Sequence, residues 1–165
     1  MENHYLIRNT DGIPDTHYFI YHNKKYPFKF DFFKYSSKYF QKNQEEIQQN
    51  QRLQLIIDGY EDQIDLSDST IQTFINYVQC NEIQLNNENV IGLNYLSTRY
   101  EVPTLIKYTD EYINEHHSEL VLELLQHNLI LHNQSEKKID SSKLEEILSF
   151  HFDFYLEDER LLNLN

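Results

Sequence analysis

His116 and His117 are adjacent imidazoles in a chain of 165 residues. Neighbours on a helix point about 100° apart, so one helix cannot bring both onto one ion. A place beside the negative end of a helix dipole suits them better. His127 and His132 lie five apart and also miss helix-face spacing, so they read as surface or packing residues. Cys80 is the single cysteine. It has no histidine within a few positions to activate a thiolate, and it reads as a small buried hydrophobe near a helix end. Glu45-Glu46, and Asp58 with Glu61-Asp62, could pair carboxylates. Acid–base work needs such groups in one pocket with diverging proton affinities, which polar loops do not supply. Phosphate-cradling loops and nucleophile elbows need glycines, and the chain has 3 in all. The residues therefore point away from an enzyme, and no metal or cofactor is expected.

The formal charge is −13, from 27 acidic against 14 basic residues. Such a chain repels phosphate backbones, which argues against nucleic acid and anionic membrane as partners. Lys24-Lys25, Lys29, Lys34 and Lys38 form the densest basic cluster and read as a solvated rim. One cysteine permits no internal disulfide. No apolar segment precedes Asp11, so neither a secretion signal nor a membrane span is expected, and the default compartment is cytoplasm or nucleus. Hydrophobic residues make up 39% of the chain and aromatic ones 14%. Phe and Tyr each bury a large area, so the core is expected to be aromatic.

The elements that must position any site start with Tyr18 to Phe40, which is nearly half Phe and Tyr. Tyr18 and Ile20, then Tyr26, Phe28 and Phe30, alternate as strand residues do. His22-Asn23-Lys24-Lys25 between them reads as a tight turn. From Asp31 the period lengthens. Phe32, Phe33, Tyr35, Tyr39 and Phe40 crowd one side of a short helical segment, with Ser36-Ser37 as a break and second N-cap. These rings either all enter the core or leave some facing a partner chain, since excess apolar surface marks an interface. Gln41 to Gln51 has almost no apolar anchor and reads as a frayed helix end and solvated loop.

Arg52 to Asp58 reads as a strand, ended by Gly59, and Gln63 to Leu66 as a short continuation. Ser67-Asp68-Ser69 offers caps, with Gln72 as box partner of Ser69. Ile71, Phe74, Ile75 and Val78 then follow helical spacing, and Asn81 is expected to stop that helix in left-handed geometry. Glu82 to Leu85 is a small strand or extended link. Asn86-Asn87 caps a helix burying Val90, Leu93, Leu96 and Tyr100. Pro103 opens another with Leu105, Ile106, Thr109, Tyr112 and Ile113. Beyond 117 the texture is Leu-rich. Two helices, Ser118 to Leu131 and one capped by Ser142-Lys143-Leu144-Glu145, flank a polar linker and make a helical hairpin.

Order and spacing together resemble a BTB/POZ domain over about Asp15 to Asn114. The family runs as an Asp, a hairpin, an apolar helix, Ser-x-x-Phe, a strand, a helix ending in Tyr-Thr-Gly, then two helices. Here the matching pieces are Asp15, the strands within Tyr18 to Phe30, Ser37-Lys38-Tyr39-Phe40, Ile64-Asp65-Leu66, Phe74 to Asn81, and Asn89-Val90 through Tyr100 and Val102. Lys29 stands where most members have His, Gln79 where they have Tyr, and Asn81 where they have Gly. A hydrophobe-x-Glu element is not evident in Gln44 to Gln51.

The resemblance implies an α+β fold, a small mixed sheet flanked by about five helices with a C-terminal helical extension. It divides the chain into an N-terminal segment 1–14, a domain 15–117, and an extension 118–165 like the start of a 3-box or BACK region. Related arrangements continue into ankyrin repeats, which would make this chain a short relative of BTB–ankyrin proteins. The implied function is protein–protein interaction: a homodimer using Phe32, Phe33 and Tyr35, and a substrate adaptor for a cullin-type ubiquitin ligase. The adaptor face would comprise Tyr39, Lys42, Asn43, Glu45 and Glu46 with Tyr77 and Gln79. The alternative is a purely structural homo-oligomerisation domain with no ubiquitin-ligase link.

Overall fold

The computed structural model describes residues 14–55 and 66–124. The chain divides into two compact units, 1–109 and 110–165. Its first strand, β1 (His17–Tyr21), pairs antiparallel with β2 (Lys24–Phe28). The loop between them is two residues, His22 and Asn23, with φ of 46° and 63°. Positive φ at both positions gives the turn the twist that a two-residue hairpin needs. The four-residue turn expected from sequence is thereby halved: Lys24 and Lys25 belong to β2, opposite Tyr21 and Ile20. The alternation is present, but β1 buries His17, Phe19 and Tyr21 and leaves Tyr18 and Ile20 half-buried on its other face.

Three short helices follow: α1 (Phe30–Ser36), α2 (Lys38–Lys42) and α3 (Gln44–Gln49). The chain then enters β3 (Arg52–Gln54), which lies parallel to β1. The sheet order is β2-β1-β3. The mixed α+β architecture with a small sheet is thus as the sequence indicates. The α3 helix is not, since Gln41 to Gln51 was expected to be frayed and looped. Ile47 accounts for the difference, being 4% exposed and the one buried residue of α3. The rest of the strand expected to Asp58, and the run from Gln63, lie outside the described residues except for Leu55 and Leu66.

α4 (Asp68–Val78) is capped by Ser67, whose oxygen accepts from the Thr70 amide at 3.1 Å. Ser69 is therefore inside the helix, and Gln72 bonds Asn76 rather than closing a capping box. The helix ends in paired bonds: Asn81 N–H to the Asn76 carbonyl and Cys80 N–H to the Tyr77 carbonyl. That pattern is a Schellman motif, which requires a left-handed residue next to the cap. Cys80 takes that role, at φ 64°, in place of the expected Asn81. It is also exposed rather than buried, because its position past the cap aims it away from the packed stripe.

Glu82 to Leu85 forms an extended link with no strand. Asn86 and Asn89 then close on each other: the Asn86 amide oxygen accepts from Asn89 N–H, and the Asn89 oxygen from Asn86 N–H, both at 3.0 Å. α5 (Val90–Arg99) starts there. Gly92 permits a close approach to the α4 segment, since a Cβ would sit 2.8 Å from Thr70 Cγ2 and 3.0 Å from Leu66 Cδ2. A second Schellman motif ends α5, with Glu101 left-handed at φ 48°. α6 (Pro103–Glu115) begins at the expected proline. Within the first unit, its Thr109 hydroxyl accepts from the Asn94 amide at 2.9 Å, both side chains buried.

The core of the first unit is aromatic, as composition suggests. Phe19, Phe28, Phe33, Phe40 and Phe74 are fully buried, with Tyr100 among them. Phe19 stacks on Phe28 at 4.4 Å, and Phe33 meets Phe28 and Phe40 at 4.5 and 4.9 Å. Such rings contribute roughly 0.5–1.5 kcal/mol per pair beyond area burial. The Tyr100 hydroxyl donates to the Leu55 carbonyl at 2.8 Å. Burial raises its proton affinity well above the usual phenol range.

Candidate interaction surface

The break between α1 and α2 is built by one hydroxyl. Ser37 accepts from the Phe40 amide at 3.2 Å as the α2 cap, and its own hydrogen goes to the Tyr100 carbonyl. The Lys38 amide bonds the Glu101 carbonyl at 2.9 Å. The Ser-x-x-Phe spacing therefore joins the first helices to the end of α5 and plants Phe40 in the core. It also splits the α1 rings by depth. Phe33 is wholly buried, Phe32 is 8% exposed and Tyr35 is 79% exposed. Phe33 thus has no surface to offer a second chain, because the rings around it already enclose it. Of the three residues expected at a dimer contact, Tyr35 alone stands free of the core.

The expected adaptor residues fall into two places. Around the α2–α3 turn, Lys42 reaches both carboxylate oxygens of Glu101 at 2.7 and 2.8 Å. The pair is largely exposed, so it contributes about 1 kcal/mol at most. Asn43 donates from its side chain to the Tyr39 carbonyl at 2.9 Å and fixes the turn. Tyr39 is half-buried, edge-on to Tyr100 at 5.5 Å. Glu45 and Glu46 are exposed. Gln41 to Glu46 line an open polar depression there. Both acids lie in the first turn of α3, where the helix dipole favours them.

At the end of α4 the two remaining residues part company. Tyr77 is half-buried and lines an open groove with Asn81, Glu82, Ile83, Gln84 and Tyr108. Gln79 is 8% exposed, and its side-chain oxygen accepts from the Lys29 amide at 2.8 Å. It is therefore not a surface residue: it satisfies an orphan donor at the start of α1, where Lys29 is the cap position and has no side-chain cap of its own. Tyr108, 43% exposed, belongs to the groove and was not singled out from sequence, since its stripe on α6 carried no special pattern.

Other polar links were also invisible in one dimension. Asp68, at the first position of α4, holds Lys24 Nζ at 2.5 Å and the Tyr26 hydroxyl at 2.6 Å. Lys24 and then Tyr26 draw the Asp68 carboxyl below its usual proton affinity. Burial first, then Asp68, pushes the Tyr26 phenol up to about 12. On the outer face of the sheet, Lys25 and Arg52 both lie over the Tyr18 ring, at 4.9 and 5.9 Å. His17 is buried, a further residue that alternation did not single out.

Among the described residues, no group of three or more His, Cys, Asp or Glu side chains could hold a metal ion. In the second unit, His116 stacks on Tyr112 at 4.0 Å and bonds its carbonyl at 3.0 Å. That places the ring back along its own helix. Asp58, Glu61, Asp62, His127 and His132 lie outside the described residues, and so does nearly all of the expected extension. Among the described residues, no helix is long and apolar enough to cross a membrane. No protein-family model matches the chain, and no curated protein matches it.

Proposed function

We propose that the chain is a protein–protein interaction module built on a BTB/POZ-like core, acting in the cytoplasm or nucleus without catalysis of its own. One observation carries this reading. A hairpin, a helix and a Ser-x-x-Phe cap follow one another, and after α3 and β3 come three longer helices. That is the element order of the family the sequence resembles. Self-association is assigned to the α1 face around Tyr35, a ring exposed beside a complete core. Light scattering on the full chain tests it. A dimer that Tyr35→Asp converts to monomer is expected, and a monomeric wild-type chain would remove the claim.

A second reading, recruitment of a cullin-type ubiquitin ligase, is favoured by the surface that Tyr39, Lys42, Asn43, Glu45 and Glu46 form around one turn. The Tyr77–Tyr108 groove adds an aromatic surface of its own. A pull-down with a cullin N-terminal domain decides between an adaptor and a purely structural oligomer. No binding at micromolar concentration would leave the structural oligomer.

A further inference from the structure

His17 opens β1 and is 5% exposed. Its Nε2 lies 3.1 Å from the Ile47 carbonyl of α3 and its Nδ1 lies 2.8 Å from Thr16 Oγ1. A carbonyl oxygen only accepts, so Nε2 carries a hydrogen. In the neutral ring Nδ1 is then an acceptor, and the Thr16 hydroxyl donates to it. The same hydroxyl oxygen accepts from the Phe30 amide at 3.4 Å. The donors therefore run one way, from Phe30 through Thr16 and His17 to Ile47. The ring is stacked on Phe30 at 4.7 Å and tilted against Phe28 at 5.8 Å.

A second proton would land on Nδ1. It would turn the ring into a donor toward Thr16 Oγ1, oblige that exposed hydroxyl to turn its hydrogen away, and put a charge on a ring that is almost shut off from water. The groups facing the ring differ by element. From β2 comes Phe28, from α1 Phe30 and the carboxylate of Asp31, and from α3 the Ile47 carbonyl. The acids of α3, Glu45 and Glu46, are exposed. Burial lowers the His17 proton affinity, and Ile47 and Asp31 offset only part of that.

α3 has few other ties. It is six residues long and buries Ile47 alone, and helices this short do not persist without tertiary contacts. Asn43 holds its start, and the Tyr18 amide bonds the Gln51 carbonyl beyond its end at 2.9 Å. We propose that His17 is a proton-sensitive latch: neutral, it holds α3 in place; protonated, it leaves its pocket and releases α3 with the Glu45–Glu46 surface. The regulatory consequence rests on the reading of that surface as a partner contact; the latch itself does not.

Amide hydrogen exchange on the full chain, followed by NMR, tests it. Protection of residues 44–50, corrected for intrinsic rates, should be lost progressively as pH falls from ~7.5 to ~5, because burial holds the His17 proton affinity below its ordinary value. The fall should track titration of the His17 ring. The chain has 8 histidines, so His17→Gln, which keeps a donor toward Ile47 but does not titrate, should make protection pH-independent. Protection that stays constant while the His17 ring titrates would overturn the latch. So would the same pH response in H17Q. If H17Q does not fold, the wild-type comparison of ring titration with α3 exchange still decides. A chain that never dimerises or binds a cullin leaves this readout unaffected, so the two proposals fail separately.

Discussion

The aromatic hub and the α3 helix belong to the same unit yet are held in opposite ways. In the hub, Phe19, Phe28, Phe33, Phe40, Phe74 and Tyr100 come from β1, β2, α1, α2, α4 and the end of α5, and each ring meets several others. Removing one leaves the rest pinned around a void. α3 rests on one buried side chain, one imidazole bond and the flanking ties at Asn43 and Gln51. Few buried apolar contacts and an exposed surface are what make a segment open locally, below the cost of global unfolding. The hub therefore sets stability, while α3 is free to respond to solution conditions.

Substitutions can break this contrast. The largest effect is expected for Phe33→Ala, about 3–5 kcal/mol in denaturant unfolding, because the site cannot collapse. Ser37→Ala should cost roughly 1–3 kcal/mol, as it removes the α2 cap and leaves the buried Tyr100 carbonyl without its donor. Ile47→Ala is the informative case. It should strip exchange protection from residues 44–50 yet lower global stability by only about 1 kcal/mol, less than the loss of a ring from the hub. A global loss as large as that of Phe33→Ala would mean that the hub and α3 unfold as one cooperative body.

Smaller effects sharpen it. Cys80 lies outside both regions in left-handed backbone, and Cys80→Gly should raise the unfolding free energy by about 0.5–1 kcal/mol, with no change in α3 exchange. Two pH windows separate the regions further. The His17 pKa is lowered on folding, so its stabilising contribution is complete above the unfolded value of 6.5 and is lost as pH falls from there toward the folded value. The Tyr26 pKa is raised to about 12, so its contribution is complete below the unfolded value near 10.0 and is lost as pH rises toward 12. Acid should loosen α3 first; alkali should loosen the tie between β2 and α4.

Legibility followed the same division. Period and residue type locate the hairpin, the Ser37 break, the stripe of α4 and the proline start of α6, since each is set by neighbours in the chain. They miss α3, because Ile47 is a single apolar residue among ten polar ones and becomes an anchor only once the folded chain buries it. They also place Gln79 on the outside, because its partner, the Lys29 amide, is fifty residues earlier. Alternation in β1 is visible, but which face is buried depends on where α1 and α2 pack.

Composition alone determined an acidic chain with an aromatic core, since these follow from charge count and ring count. Tertiary structure decided which rings are core and which is exposed, that Cys80 and not Asn81 turns left-handed, and that His17 is enclosed. Those outcomes depend on hydrogen-bond partners and packing surfaces far apart in the chain, and a side chain's surroundings are fixed only when such distant segments meet.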